Sequence, residues 1–271
     1  MNLAEITPLV LTYNESANIE PCLAGLAWAP DVVIVDSYSS DDTLERAARF
    51  ANVRSFQRRF DNHSAQWNFG LQETSIATPW ILALDADYRP TRELLDEIRA
   101  LTPPPEVSAY YVPFTYCVFG HPLRGSVYGP VAALFRREQA DYVQDGHTQR
   151  LRLQSGSFAQ LQGRMLHDDR KSLGRWLASQ QRYMELEARL LLERPGRQLG
   201  WADRLRKAVV LAPWLMFGYC LLIKAALLDG WPGWYYACQR LTAELILSLK
   251  LIEARLHVPR PEHPILPGDG E

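Results

Sequence analysis

A marked excess of either charge is missing from this chain: 29 Lys and Arg stand against 31 Asp and Glu, a formal net charge of -2 over 271 residues. A nucleic-acid platform, which needs a basic stripe to neutralise phosphates, is therefore not expected. Cysteine is scarce too. Cys22, Cys117, Cys220 and Cys238 are scattered without a C-x-x-C pair, which argues against a zinc framework or a disulfide scaffold and for a reducing compartment. There is no internal repeat and no G-x-x-x-x-G-K phosphate loop. The first residues lack a basic region followed by an apolar stretch, so the chain is expected in the cytoplasm. It also lacks an uninterrupted apolar run of about twenty residues, the length that a membrane-spanning helix needs.

What is present is an apolar, regularly punctuated first half. The residues Ile6 to Thr12, Val32 to Val35, Val53 to Phe56 and Trp80 to Leu84 predict four strands. Between them, helical stretches run from Asn18 toward Trp28, from Thr43 to Ala51 and from Ser64 to Thr74. Uniformly apolar strands imply a parallel sheet covered on both faces, and strand-helix alternation implies a doubly wound α/β fold. After Pro103-Pro104-Pro105 the pattern changes, with strands expected at Ala109 to Phe114 and Val131 to Phe135 in an acceptor-side subdomain. The predicted division is 1–170 for the catalytic domain, 171–258 for a helical extension and 259–271 for a mobile tail.

Polar residues gather where the strands end. In an open parallel sheet, ligands bind outside the carboxyl ends of the strands, and three loops stand there: Thr12-Tyr13-Asn14-Glu15, Asp36 through Thr43, and Asp85-Ala86-Asp87. A strand-terminal Asp-x-Asp can hold a hard divalent cation, which in turn binds diphosphate oxygens. The plainer reading is that aspartates cap helices and start turns, and Asp41 and Asp42 are read that way.

The three loops, in this order and spacing, resemble those of the family 2 glycosyltransferases of the GT-A fold. The matching segments are Leu11-Thr12-Tyr13-Asn14-Glu15 and Val35-Asp36-Ser37-Tyr38-Ser39-Ser40-Asp41-Asp42-Thr43. The chain is also similar to the bacterial branch containing lipopolysaccharide-core β-glucosyltransferases, through Asp61 to Leu71, Leu84 to Asp87, Leu134 to Arg137 and Leu228-Asp229-Gly230-Trp231. The resemblance implies a GT-A, Rossmann-like, mostly parallel sheet flanked by helices. It also implies an inverting transfer of a hexose, glucose from UDP-glucose in the first place, to a glycan or lipid-linked acceptor such as lipopolysaccharide core.

By the same resemblance, Thr12, Tyr13, Asn14, Glu15 and Asp36 hold the donor, Asp36 accepting from uracil. Gln66 and Asn68 support the pocket, and Asp85, Ala86 and Asp87 serve the diphosphate. Of the basic pairs Arg58-Arg59 and Arg136-Arg137, which otherwise read as solvated faces, Arg136 is the candidate diphosphate contact because it follows an expected core strand. Mg2+ or Mn2+ would sit on Asp85 and Asp87 with His147. Two departures are visible. Trp67 replaces a basic residue, and Gly146-His147-Thr148 stands where the branch carries a His-Glu pair. The base is therefore expected from Asp145, with His147 completing the metal shell or orienting the donor, or with those roles reversed. His167 is read either as a hydrogen-bonded structural residue in a loop or as a ligand. A haloacid-dehalogenase phosphatase also uses Asp-x-Asp, but Arg89 occupies the place of its following Thr or Val. An inactive scaffold and a polyprenyl-phosphate sugar transferase of the same fold are the alternatives carried forward.

In the last third, Leu173, Trp176, Leu177, Tyr183, Met184, Leu190 and Leu191 recur at helical spacing, which predicts an amphipathic helix. Ala208 to Ile223 is uncharged and interrupted by Pro213, and a second helix is expected from Trp234 to about Leu256. Arg204, Arg206 and Lys207, with Trp214, Trp231 and Trp234, suit an interfacial helix on the cytoplasmic face of an inner membrane. Packing on the catalytic domain, or on a second copy in a homodimer, is the other reading.

Overall fold

The computed structural model describes residues 1–145 and 148–257. In chain order its strands are β1 (Ile6–Thr12), β2 (Val32–Asp36), β3 (Val53–Gln57), β4 (Trp80–Asp85), β5 (Tyr88–Pro90), β6 (Val107–Val112), β7 (Phe114–Val118), β8 (His121–Pro122), β9 (Val131–Arg136), β10 (Ala140–Asp145), β11 (Thr148–Leu153), β12 (Ser157–Gln160) and β13 (Met165–Asp169). The helices are α1 (Ile19–Ala24), α2 (Thr43–Ala47), α3 (His63–Glu73), α4 (Arg92–Ala100), α5 (Leu173–Glu193), α6 (Trp201–Lys207), α7 (Ala212–Gly218) and α8 (Trp231–His257).

Seven strands form the central sheet in the order β12-β6-β9-β4-β1-β2-β3. The four strands β1 to β4 are mutually parallel, whereas β9 runs antiparallel to both β4 and β6. Successive side chains of a strand point to opposite faces, and here they build two cores. Ile6, Val10, Ile34, Leu82 and Leu84 pack with Leu23 of α1 and Leu94 of α4, while Leu9, Val33, Val35, Ile81 and Ala83 pack with Trp67 and Leu71 of α3. Burial on both faces explains why β1, β2 and β4 are apolar at nearly every position, whereas the edge strand β3 carries Arg54, Ser55 and Gln57. Helix α3 lies very close to β1, because a Cβ on Gly70 would stand 2.7 and 2.8 Å from the Leu9 methyl carbons.

A second sheet, β5-β13-β7-β8, adjoins the carboxyl edge of β4, and β10 with β11 forms an antiparallel ribbon over α3. The single strand expected across Ala109 to Phe114 is in fact two. Pro113 lacks the N–H that a continuous ladder requires, so β6 stays in the central sheet and β7 passes to the second.

The helical extension is docked on this second sheet. Cys220, Leu221, Tyr236 and Ala237 pack against Tyr116, Val118 and Leu123, and α5 meets α8 through Met184, Ala188, Leu191, Leu247 and Leu251. Pro213 opens α7 at its first turn, where a missing N–H costs nothing, so it starts a helix instead of interrupting one. The chain continues as a π-turn over Tyr219–Ile223 and bends by 66° into the segment Ala226–Leu256. Among the described residues no single helix is long and apolar enough to cross a membrane.

Candidate active site

Strands β2 and β3 lie on one side of β1 and β4 on the other, so the loops after β1 and β4 part at a topological switch point, where open α/β sheets bind ligands. Register brings the expected residues together there. Thr12 pairs with Asp36, and Leu11 with Asp85, placing Thr12, Asp36 and Asp85 side by side at the carboxyl edge.

On the β2 side, the Thr12 hydroxyl is buried without a hydrogen-bond partner. Such an orphan is costly unless a ligand satisfies it. Asp36 is fully buried, and its carboxylate accepts from the Ser39 N–H at 2.8 Å, from the Ser39 hydroxyl and from Gln57 Nε2 at 3.2 Å. The two loops lock to each other. Asn14 adopts φ 55°, a left-handed conformation that Asn tolerates, and its Oδ1 accepts from the Ser40 N–H at 2.7 Å. The Glu15 N–H donates to Thr43 Oγ1 at 2.8 Å, and Asp41 accepts from the Thr43 N–H at 3.1 Å as a cap would, whereas Asp42, at the N-cap itself, makes no capping bond and pairs with Arg46. Tyr13 and Tyr38 project into solvent from this frame.

Gln66 ties α3 to the loops after β2 and β3, donating to Ser37 Oγ at 2.8 Å and to the Arg58 carbonyl at 3.1 Å. Asn68 ties α3 to the ribbon through a reciprocal pair with the Tyr142 backbone, at 2.8 and 2.9 Å. Trp67, in the place of the expected basic residue, is buried and stacks on Tyr142 with centroids 5.2 Å apart. This position is structural.

At the end of β4, Asp85, the buried Ala86 and Asp87 meet residues from much later in the chain. His167 Nε2 on β13 lies 3.4 Å from Asp87 Oδ2, and Lys171 Nζ lies 3.7 Å from the same oxygen. Lys171 also pairs with Glu15 at 2.9 Å and Asp169 at 3.3 Å. Beneath them the buried Asp168 joins Arg89 at 2.9 Å and Arg170 at 2.8 Å, holding the turn rigid.

These contacts drive the two aspartates apart. Burial alone would raise the Asp87 carboxyl, but the His167 and Lys171 cations outweigh it and hold it at about 2. Asp85 is raised, by burial and then by the negative charge of Asp87. Burial opposes charge on His167 and Lys171, yet the surrounding carboxylates, Asp87 first, raise both. Glu15 is raised by burial, with Lys171 opposing it. Two carboxylates with divergent affinities for protons, in a crevice, mark a functional site.

The donor set suits a divalent cation in part. Asp87 Oδ1 and His167 Nδ1 are buried without hydrogen-bond partners, and the former is a hard oxygen available to a cation. Among the described residues no group of three His, Cys, Asp or Glu side chains is arranged to hold a metal ion by itself, so a cation there would take its remaining ligands from the diphosphate and from water.

Two expectations change. Arg136 pairs in register with Trp80 at the start of β4, stacks on that indole at 4.7 Å and donates to the Val107 carbonyl. It therefore stands at the opposite end of the sheet from Asp85 and cannot serve the diphosphate. His167 lies on a strand, not in a loop, and is packed among Tyr88, Phe114, Tyr116 and Tyr128 at 4.9 to 5.6 Å. His147 lies outside the described residues. Asp145 closes β10, and nothing is described of its side chain. Lys171 was not anticipated, although the charged run His167 to Lys171 is visible in the sequence.

Residues 9–123 match the model of the glycosyl transferase family 2. The lipopolysaccharide core biosynthesis glycosyltransferase LpsC of Rhizobium meliloti is 29% identical over 102 residues, covering 35% of this chain and 37% of LpsC. An uncharacterized glycosyltransferase of Rickettsia bellii is 33% identical over 95 residues, covering 35% of this chain and 31% of the relative. The matched segment thus spans only about a third of these curated relatives. Crystalline Staphylococcus aureus TarS 1-349 in complex with UDP-GlcNAc aligns over 93% of this chain and 91% of its own, at 15% identity and a TM-score of 0.47. Residues 9–123, which hold Thr12, Asp36, Asp85 and Asp87, are thus similar to glycosyl transferase family 2.

Proposed function

We propose that this protein transfers a hexose, in the first place glucose from UDP-glucose, to a glycan or lipid-linked acceptor such as lipopolysaccharide core, inverting the anomeric carbon. The observation that carries this reading is the meeting, at one sheet edge, of the orphaned Thr12 hydroxyl, the buried Asp36 carboxylate and the Asp85 and Asp87 pair. Asp36 and Thr12 take the uracil and ribose side. Asp87 keeps one oxygen for a divalent cation, Mg2+ or Mn2+, which when bound supplies positive charge to the departing diphosphate. Lys171, anchored by Glu15 and Asp169, adds a fixed ammonium beside it.

The acceptor hydroxyl oxygen bonds to the anomeric carbon as the carbon–oxygen bond to UDP breaks, and the hydroxyl proton passes to a base. Asp145 or His147 takes that role, from the segment joining β10 to β11. Its flank lies at the amino end of α3, where Ser64 Oγ donates to Gln144 Oε1 at 3.2 Å.

The same reading places the protein at the cytoplasmic surface of the inner membrane. Trp214, Leu215, Leu222, Ile223, Leu228 and Trp231 expose apolar side chains on one bent segment, Trp231 being 87% accessible. Exposed patches of this kind mark interaction sites, and Lys207 and Lys224 supply charge for anionic headgroups. This tip also favours a second reading, transfer to a polyprenyl phosphate. Incubation with UDP-glucose, UDP-galactose and UDP-GlcNAc in Mn2+ tests the proposal: metal-stimulated release of UDP from one of them is expected, and release from none of them contradicts it.

A further inference from the structure

Beyond His167, away from the nucleoside side, lies an arginine whose charge no described residue answers. Arg240 of α8 places its guanidinium 5.9 Å from the centroid of Tyr128, whose ring packs on Tyr116 and, through it, on Tyr236. None of these is an acid, and no ion pair to Arg240 is found among the described residues. Elsewhere in this chain Arg54, Arg89, Arg152, Arg170 and Arg206 meet carboxylates, and Arg136 and Arg164 donate to backbone carbonyls. A half-buried cation walled by aromatic rings has lost part of its hydration, and an anion arriving there would restore the balance.

The platform around it is built and rigid. Tyr128 stacks on Tyr116 at 5.1 Å with an interplanar angle of 12°, and both rings contact His167, whose Nε2 faces Asp87. The Tyr236 hydroxyl accepts from the Val127 N–H at 2.9 Å, and Asp229 accepts from the Arg124 N–H at 3.0 Å, tying the loop that carries Tyr128 to the helical extension. Tyr128 remains 40% accessible and Arg240 is half-buried behind it, so an aromatic ring open to solvent leads to the guanidinium beside the reacting centre.

We propose that Arg240 and Tyr128 form an acceptor subsite for a phosphate group, with Arg240 binding the anion and Tyr128 lining the path toward His167. A planar guanidinium matches phosphate oxygens in a bidentate way, and arginine also stacks on aromatic faces. This rests on the glycosyltransferase reading above, which puts the donor on the Thr12, Asp36 and Asp87 side and leaves this side to the acceptor.

The test uses the full-length protein saturated with UDP, so that the donor site is filled, in wild-type and Arg240→Met forms. The substitution keeps an apolar stem against the rings and removes the charge. Glucose 6-phosphate in solution and phosphatidic acid in phosphatidylcholine vesicles are the two probes, with glucose and pure phosphatidylcholine as their uncharged or zwitterionic counterparts. We expect wild type to bind at least one anionic probe in preference to its counterpart, and Arg240→Met to weaken that binding by about tenfold or more while UDP affinity is unchanged. The first probe responding assigns the phosphate to a soluble or glycan acceptor, the second to a lipid. Equal binding by the two proteins, or no preference for either anionic probe, overturns the subsite while UDP binding leaves the donor reading standing. A fall in UDP affinity in Arg240→Met also overturns it, because the residue then belongs to the donor side. Failure of wild type to bind UDP at all is a failure of the underlying reading. Arg240→Lys provides the check on folding: partial recovery of anion binding is expected, and none would contradict a role as cation.

Discussion

Replacing Asp87 by Asn keeps the shape of the side chain and removes its charge from between His167 and Lys171. The pKa of Asp87 falls from an ordinary 3.8 to about 2 in the folded protein, which at about 1.36 kcal/mol per unit corresponds to on the order of 2 kcal/mol of stability at neutral pH. Its side chain is only 10% accessible, so solvent does little to screen this. A depressed carboxylate contributes above its unfolded pKa, and the contribution is lost as pH falls from about 4 toward 2. Asp87→Asn should therefore unfold roughly 4 to 8 °C below wild type at pH 7, with the gap closing in acid. His167 answers in the opposite sense. With Asp87 gone, burial is less opposed and its pKa should drop, which NMR titration of the imidazole would report. Equal or greater stability of Asp87→Asn at pH 7, with His167 unmoved, would refute the claim that these cations neutralise Asp87.

Other predictions follow from separate parts of the molecule. Gly70→Ala drives a methyl to 2.7 Å from a Leu9 carbon and should cost about 1 to 3 kcal/mol in urea unfolding; a neutral effect would mean that α3 does not press on β1 as described. Asp145→Asn should lower transfer by about 10² to 10⁴ at unchanged donor affinity, whereas normal turnover in Asp145→Asn with a collapse in His147→Ala would assign the base to His147. Wild type should float with phosphatidylglycerol vesicles, and a Trp214→Glu, Trp231→Glu variant should not; sedimentation of both excludes the membrane tip.

The parallel half of the fold is legible because its strands are buried on both faces. Almost only apolar residues fit between two helical layers, so β1, β2 and β4 announce themselves, and their polar ends mark the crevice. The motif Asp85-Ala86-Asp87 is readable for the same reason. Arg136 is not, because an apolar run does not reveal its direction: β9 is antiparallel, so the residue at its end lies at the wrong edge. His167 and Lys171 are hidden by distance along the chain. They reach Asp87 only because β13 pairs antiparallel with β5, a contact of 79 residues' separation exemplified by Arg89 and Asp168. The split at Pro113 and the helix start at Pro213 show one residue type acting in two ways, which its position in an element decides.

The central claim is that the crevice between β1, β2 and β4 binds a nucleoside diphosphate through Asp36 and Asp87. Calorimetric titration of UDP with Mg2+ into wild type, Asp36→Ala and Asp87→Ala tests it most directly. The account predicts saturable binding to wild type, strengthened by the cation, a marked loss of affinity in Asp36→Ala, and loss of the cation's contribution alone in Asp87→Ala. Absence of UDP binding to wild type, or one affinity for all three proteins, would contradict it.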